Sequence, residues 1–231
     1  MHDVVWTPGR VQRFWDYYSS NSALEDTYFT KLVGRNLIEV VARRIPIGSA
    51  LDLGCGRGDL IGYLLEKHEA GGSDQSPESA ATVNRRFEGH SRFRGVSVGT
   101  QSLPDSSVDT VFIVEVVEHL DDATLKVVLS EARRLLKPGG HVVLTTPNAE
   151  NLEQSKVICP ECGCVFHKMQ HVRSWTPQSL TDYVSRLGFD GSAFTTRLSH
   201  HRGLKRIAQR FVSLAMRHLD PHLIYIGAAK A

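Results

Sequence analysis

The sequence predicts a doubly wound α/β domain on a mostly parallel, seven-stranded sheet, with an N-terminal helical cap and a Cys/His insertion. Three observations carry this. From Ser49 onward, short apolar runs of strand length alternate with segments of helical periodicity. A glycine-rich turn, Gly54-Cys55-Gly56-Arg57-Gly58, joins the first such strand to the first such helix. Val108–Val114 reads as a buried strand ending beside a cluster of ionisable residues. A chain of 231 residues is long enough to bury a full core around such a sheet.

Residues 1–48 read as the helical cap. Val33, Leu37, Ile38, Val40 and Val41 give a helical apolar face that Pro46 and Gly48 end. Ahead of them stands an aromatic group, Trp6, Phe14, Trp15, Tyr17, Tyr18, Tyr28 and Phe29, which suits either a cap packed on the core or a lid over a ligand. The main domain, 49–231, opens with a strand over Ala50–Leu53 and a helix over Asp59–Lys67. A strand weakened by Gly71-Gly72 reaches Asp74, and Ser76-Pro77-Glu78 supplies a helix cap, a first-turn proline and an early acid. Phe93–Val98 alternates as a strand, Pro104–Ser107 turns, and Val108–Val114 is the buried strand. Leu125, Val128, Leu129, Ala132, Leu135 and Leu136 follow helical spacing up to Pro138-Gly139-Gly140, and His141–Thr145 is another strand. The insertion, 148–175, is long for a connection in a compact domain. A helix starting at Thr176-Pro177 ends at Gly188; a basic amphipathic helix at 203–219 and a strand over Leu223–Ile226 complete the chain.

Charge and composition exclude several classes. With 27 basic and 25 acidic residues the net charge is +2, which does not demand nucleic acid. No apolar run approaches the ~20 residues a membrane helix needs, and no signal-peptide pattern is visible, so the expectation is a cytoplasmic, non-secreted protein. Arg197, Arg202, Lys205, Arg206, Arg210 and Arg217 form an acid-free basic stretch, either a solvated helix face or a surface that meets phosphate or a partner protein.

The glycine turn and its flanking acids point to a cofactor. Glycines at a strand–helix junction let the backbone approach a ligand at the carboxyl edge of the sheet. The third glycine of a dinucleotide fingerprint would fall on Asp59, so a pyrophosphate is not the natural occupant. Asp52 suits a cationic group, and Asp74, about 22 residues beyond it, can hold both ribose hydroxyls. At this point LDLGCGRGDL, GSDQSPES, LPDSSVDTVFIVEVVEHL and EARRLLKPGGHVVLTTPN, in this order, resemble the class I S-adenosylmethionine-dependent methyltransferases over roughly residues 48–190. The resemblance implies a Rossmann-like fold and S-adenosyl-L-methionine as cofactor. Asp52, Gly54, Cys55, Gly56 and Gly58 would line the methionine part, Asp74 and Gln75 the ribose, Gln101 the adenine region and Glu115 the nearby sheet edge. Thr100 and Gln101 stand where the family often has an acid, a departure at the adenine contact.

Glu115-Val116-Val117-Glu118-His119 follows the buried strand at i, i+3 and i+4, so one helical turn would gather Glu115, Glu118 and His119. Two close carboxylates repel unless a cation or proton joins them, and oxygen with imidazole ligands suits Mg, Mn, Fe, Co or Zn. A plain alternative is an acid pair with one general-base histidine. E-x-x-E-H, T-T-P-N-x-E and H-x-x-x-W-T together resemble the small-RNA 3′-terminal 2′-O-methyltransferases, which implies Glu115, Glu118, His119 and His171 as ligands of a divalent cation. The ubiquinone-pathway O-methyltransferases share a similar E-x-x-E-H. His119 or His167 is the candidate catalytic base.

Cys159-Pro-Glu-Cys162-Gly-Cys164-Val-Phe-His167 has the form of a zinc knuckle, with Cys159, Cys162, Cys164 and His167 as candidate ligands of structural zinc; metal-free surface thiols are the alternative. The sequence therefore predicts metal-assisted O-methylation of a small-molecule or glycan-like hydroxyl. The alternatives are 2′-O-methylation of an RNA 3′ end and a non-catalytic cofactor-binding protein that docks a partner through the basic helix.

Overall fold

The N-terminal cap is helical in the computed structural model, which describes residues 1–199 and 221–230. A two-residue strand, β1 (His2–Asp3), leads to α1 (Pro8–Ser20), a 3-10 turn (Ser22–Thr27) and α2 (Phe29–Ala42). Val33, Leu37 and Val41, spaced i, i+4 and i+8, are buried and share a core with Leu60, Ile61 and Leu64. The two halves of the cap therefore differ: α2 is a core helix, whereas no described residue of α1 is fully buried.

The sheet follows the predicted alternation: β2 (Ala50–Leu53), α3 (Asp59–Leu64), β3 (Ala70–Asp74), α4 (Pro77–Arg86), β4 (Phe93–Val98), β5 (Val108–Val114), α5 (Asp122–Leu135) and β6 (Leu136–Pro147). Then come β7 (Lys156–Ile158) and β8 (Cys164–His167), α6 (Pro177–Arg186), β9 (Phe189–Thr196) and β10 (His222–Ala229). The seven-stranded order is β4-β3-β2-β5-β6-β10-β9, with β10 alone reversed, antiparallel to both β6 and β9. Alternation sends Phe112 and Val114 to one core, with α2, α3 and α4, and Val111 and Ile113 to the other, with α5 and α6. Burial on both faces is why 111–114 is a continuous apolar run.

Three details depart from the sequence reading. The helix predicted over 59–67 ends at Leu64. Strand β6 begins at Leu136, directly after α5, because a register shift between Val108 and Thr110 absorbs Pro138-Gly139-Gly140. The seventh strand is β9, whose sequence alternates weakly and is held through its whole length by β10. The weak strand before Asp74 has a packing reason: a Cβ on Gly72 would stand 2.8 Å from Ile61 Cδ1, so α3 could not pack this closely on a larger residue. The basic helix expected at 203–219 lies outside the described residues.

Candidate active site

Chain direction across the sheet reverses between β2 and β5, and a cavity of about 510 Å³ opens at the carboxyl ends of those strands. This is where an open α/β sheet binds its ligand. One wall is the glycine turn. Gly54, Gly56 and Gly58 all have positive φ (81°, 49° and 75°), a conformation that other residues adopt at a cost. A Cβ on Gly54 would lie 2.8 Å from Val116 Cγ2 across the switch point, whereas one on Gly56 would meet no protein atom. Asp74 ties the turn down: its carboxylate accepts the N–H of Gly56 at 2.8 Å and of Ser76 at 2.9 Å. Each oxygen keeps a lone pair for a further donor. Asp52 is buried beneath the turn, and desolvation, then the charges of Asp74 and Asp59, push its carboxyl up to about 8. Asp52, Cys55 and Gln75 also line the cavity.

Two expected cofactor residues are elsewhere. Gly58 caps α3 and packs against Val83 and Phe87, where a Cβ would stand 2.7 Å from Val83 Cγ1, so its role is helix–helix closeness. Gln101 is exposed on the turn after β4, folded back toward Gly99, and is not on the cavity wall.

The opposite wall is the turn after β5. Glu115 takes a left-handed φ of 53°, which ends the strand abruptly. The predicted helical turn is absent; a single hydrogen bond from His119 N–H to Val116 C=O (3.0 Å) closes the segment. Glu118 and His119 therefore swing together while Glu115 stays on the sheet edge, its Oε1 accepting from Thr145 Oγ1 at 2.7 Å. Val172 N–H donates to the Glu118 carbonyl (2.9 Å) and brings in His171. Ligand atoms of Glu118, His119 and His171 lie within 4.8 Å of one another, and Glu115 is not in that group. Both carboxylate oxygens of Glu118 and Nδ1 of His119 are buried without a hydrogen-bond partner. Burial, then Glu115's charge, pushes Glu118 well above the usual carboxylate range; burial, then His171, lowers His119 to about 3, so its ring is neutral.

A residue given no role by sequence reasoning, Glu150, orders this corner from behind. Its Oε2 is hydrogen-bonded to His171 Nδ1, which leaves His171 Nε2 for the cluster. His167 Nδ1 accepts backbone N–H groups of Met169 and His171, both at 3.2 Å, so its hydrogen sits on Nε2, 3.3 Å from Glu150 Oε1. His167 is thus stacked on His171 (4.4 Å between rings), buried and off the cavity wall: a positioning residue rather than the base expected. Nor does it join the cysteines. Cys164 and His167 are three apart on β8, so their side chains leave opposite faces, and the close group is Cys159, Cys162 and Cys164 alone.

The insertion is a roof. Its ends meet at an Asn148–Trp175 bridge, and its hairpin β7–β8 pairs with β1 in a small sheet. From β1, α1 crosses the cavity mouth: Trp15 Nε1 donates to Gln170 Oε1 (3.0 Å), Gln170 Nε2 donates to the His119 carbonyl (3.1 Å), and Trp15 packs edge-on to His119 at 4.8 Å. Of the aromatic group, Trp15, Tyr18, Tyr28 and Phe29 line the cavity, while Phe29 also packs on the core and Trp6 packs on Phe166 of the insertion. Glu150 sits within the quoted T-T-P-N-x-E run, a signal that was available; Gln170, buried at a φ of 59°, has none.

A family model described as a methyltransferase domain matches residues 51–144. A probable S-adenosylmethionine-dependent methyltransferase of Mycolicibacterium smegmatis is 35% identical over 173 residues, 74% of this chain and 62% of the relative. A ubiquinone biosynthesis O-methyltransferase of Alkalilimnicola ehrlichii is 32% identical over 157 residues, 64% and 60% respectively. The chain thus spans about three fifths of these two relatives. Among solved structures, a Burkholderia thailandensis 1,6-didemethyltoxoflavin-N1-methyltransferase shares the fold with a TM-score of 0.65 at 15% identity, covering 100% of this chain and 94% of that one.

Proposed function

We propose, from the premise that this chain is a class I S-adenosylmethionine-dependent methyltransferase, that it methylates a hydroxyl oxygen of a small, ring-bearing acceptor beside a divalent cation. The observation that carries the reading is the buried Glu118 carboxylate, with neither oxygen satisfied by protein, sharing one point with His119 and His171. Buried ionisable groups without partners are costly unless something joins them. Oxygen and imidazole donors suit a borderline or hard divalent ion, so the residues fit the group. Glu118, His119 and His171 would hold it, with Glu115 as the neighbouring carboxylate. Such a cation, when bound, would orient an acceptor hydroxyl and lower its pKa, as metal-bound water falls from ~16 toward ~7.

The chain's own residues do the rest. Asp74 and the Gly56 turn offer acceptors and open backbone to the cofactor's ribose and methionine. Asp52, which burial holds as a neutral carboxyl up to about pH 8 in the ligand-free fold, would ionise beside the cofactor's positive charge. A methyl sulfonium needs no activation, so the task is to hold an oxygen in line with it, which can contribute ~7–11 kcal/mol. Trp15 and Tyr18 on the roof and Leu120 beside His119 give the cavity an apolar lining that favours a ring over a bare sugar. The similarity to the ubiquinone biosynthesis O-methyltransferase named above supports oxygen as the acceptor atom.

The test is methyl transfer from labelled cofactor to catechols, sugar nucleotides and short RNAs, with and without chelator. Labelling of a catechol-type oxygen that chelator abolishes and added divalent metal restores is the expected result. Full turnover by Glu118→Ala in excess chelator overturns the cation, and label on nitrogen or carbon overturns O-transfer. Label on RNA 3′ ends alone transfers the reading to the RNA methyltransferases that the E-x-x-E-H motif resembles. Among the described residues no helix is long and apolar enough to cross a membrane.

A further inference from the structure

We propose that Cys159, Cys162, Cys164 and His2 form a structural zinc site that fastens the N-terminal strand to the insertion. In the β7–β8 hairpin Ile158 pairs with Val165, so Cys159 and Cys164 are the next facing pair, and the Cys159 N–H donates to the Cys164 carbonyl at 2.9 Å. Facing residues of adjacent strands project to the same side, opposite to Ile158 and Val165. On the other flank of β8, β1 runs parallel with His2 registered on Cys164, fixed by His2 N–H to the Gly163 carbonyl (3.3 Å) and Val4 N–H to the Val165 carbonyl (3.0 Å). His2, Cys164 and Cys159 therefore stand side by side across one face of the small sheet. Between the two cysteines the turn closes with Gly163 N–H on the Cys159 carbonyl (2.9 Å), Gly163 taking a φ of 71°. It returns Cys162 to the same point: the three sulfurs lie within 4.8 Å of one another, all free thiols.

Three thiols converging from a C-x-x-C-x-C turn are a soft donor set that zinc takes as thiolates, and a tetrahedral structural site needs a fourth donor. His167 is excluded, since it faces the other way and its Nδ1 is already an acceptor. His2 is the imidazole registered on the correct face; its side chain is exposed, stands outside the close group of three sulfurs, and would turn toward them when zinc binds. The consequence reaches the cavity: the same β1 leads into α1, whose Trp15 covers His119. Zinc here would fix the roof without touching the reaction, so the site stands independently of the proposed activity.

The experiment uses the full chain purified under reducing conditions. Titrating thiols with a mercurial, with released metal read by a chromogenic indicator, should free about one zinc per chain as the three insertion thiols react. Coupling release to thiols separates this zinc from any ion at Glu118. His2→Ala should weaken zinc binding by roughly tenfold or more and alter the visible bands of the cobalt-substituted protein, while His2→Cys restores tight binding. His167→Gln should leave zinc content unchanged. Removing zinc should speed hydrogen exchange at His2 and Val4. Absence of zinc that no added zinc restores, with all thiols freely reactive, overturns the site; undiminished affinity in His2→Ala overturns His2 as the fourth ligand.

Discussion

The glycine turn after β2 and the acidic–histidine turn after β5 face each other across one cavity, and they treat their polar groups in opposite ways. At the glycine turn, Asp74 accepts two backbone N–H groups, and the N–H groups of Gly54 and Cys55 both donate to the Ser73 carbonyl, at 2.8 and 3.2 Å. The other wall is covered only in part: Glu115 accepts from Thr145 and His171 is bonded to Glu150, but both Glu118 oxygens and His119 Nδ1 are buried and unmatched, and Glu115 holds a left-handed backbone. A satisfied wall is built before the ligand arrives, and its variants should act on affinity. An unsatisfied wall stores its cost until a ligand or ion completes it, so its variants should act on turnover.

The largest expected effect breaks or secures that division. Glu118→Gln should lower turnover by about 10²–10³-fold, in the range of removing one charge-stabilising group, with cofactor affinity unchanged and Tm held or raised. Single-turnover transfer, calorimetric titration and thermal melting read the three quantities. A large loss of affinity in this variant would erase the distinction between the walls.

Next is Asp74→Ala, which removes both the acceptor for Gly56 and Ser76 and the expected ribose contact. Cofactor binding should weaken by about 1.5–3 kcal/mol by calorimetry. Unchanged affinity would remove Asp74 from the cofactor site.

Two glycine variants separate folding from binding within one wall. Gly54→Ala and Gly56→Ala both force alanine to positive φ, at about 1–2 kcal/mol. Only Gly54→Ala also drives a methyl into Val116, so it should melt at the lower temperature. Gly56→Ala points its methyl into the cavity and should lose more cofactor affinity than stability.

The smallest effect is in pH dependence. Asp52 is raised to about 8 in the fold from an ordinary value near 4, so between these pH values the folded state binds more protons than the unfolded one. Ligand-free stability should therefore fall as pH rises from about 4 to about 8. Asp52→Asn, which cannot ionise, should match wild type near pH 4 and melt a few degrees higher near pH 8. A constant Tm difference across that window would show that Asp52 is not the group responsible.

Much was legible in the sequence because it is written in local patterns. The 3.6-residue spacing of Val33, Leu37 and Val41, the apolar run at 111–114 and the glycines with Asp52 and Asp74 each encode their element or wall within a few neighbours. The zinc-knuckle run and the E-x-x-E-H run were also visible, but their partners were not. Spacing assigned His167 to the cysteines, and spacing together with the family resemblance assigned Glu115 to the metal group. Strand alternation on β8 and the left-handed turn at Glu115 reassigned both.

Local patterns in the sequence thus specify the fold class, the order of strands and helices around the switch point and the glycine-turn wall of the cavity. All depend on interactions short in sequence or on burial patterns that repeat along one element. Only the tertiary structure decided which distant groups complete each cluster. Glu150 behind His171, Gln170 between Trp15 and His119, and His2 beside Cys164 are brought together by the closure of the 148–175 loop and the pairing of β1 with β8. Long-range pairing of this kind is set by register and packing across the whole fold, and no local run of residues specifies it.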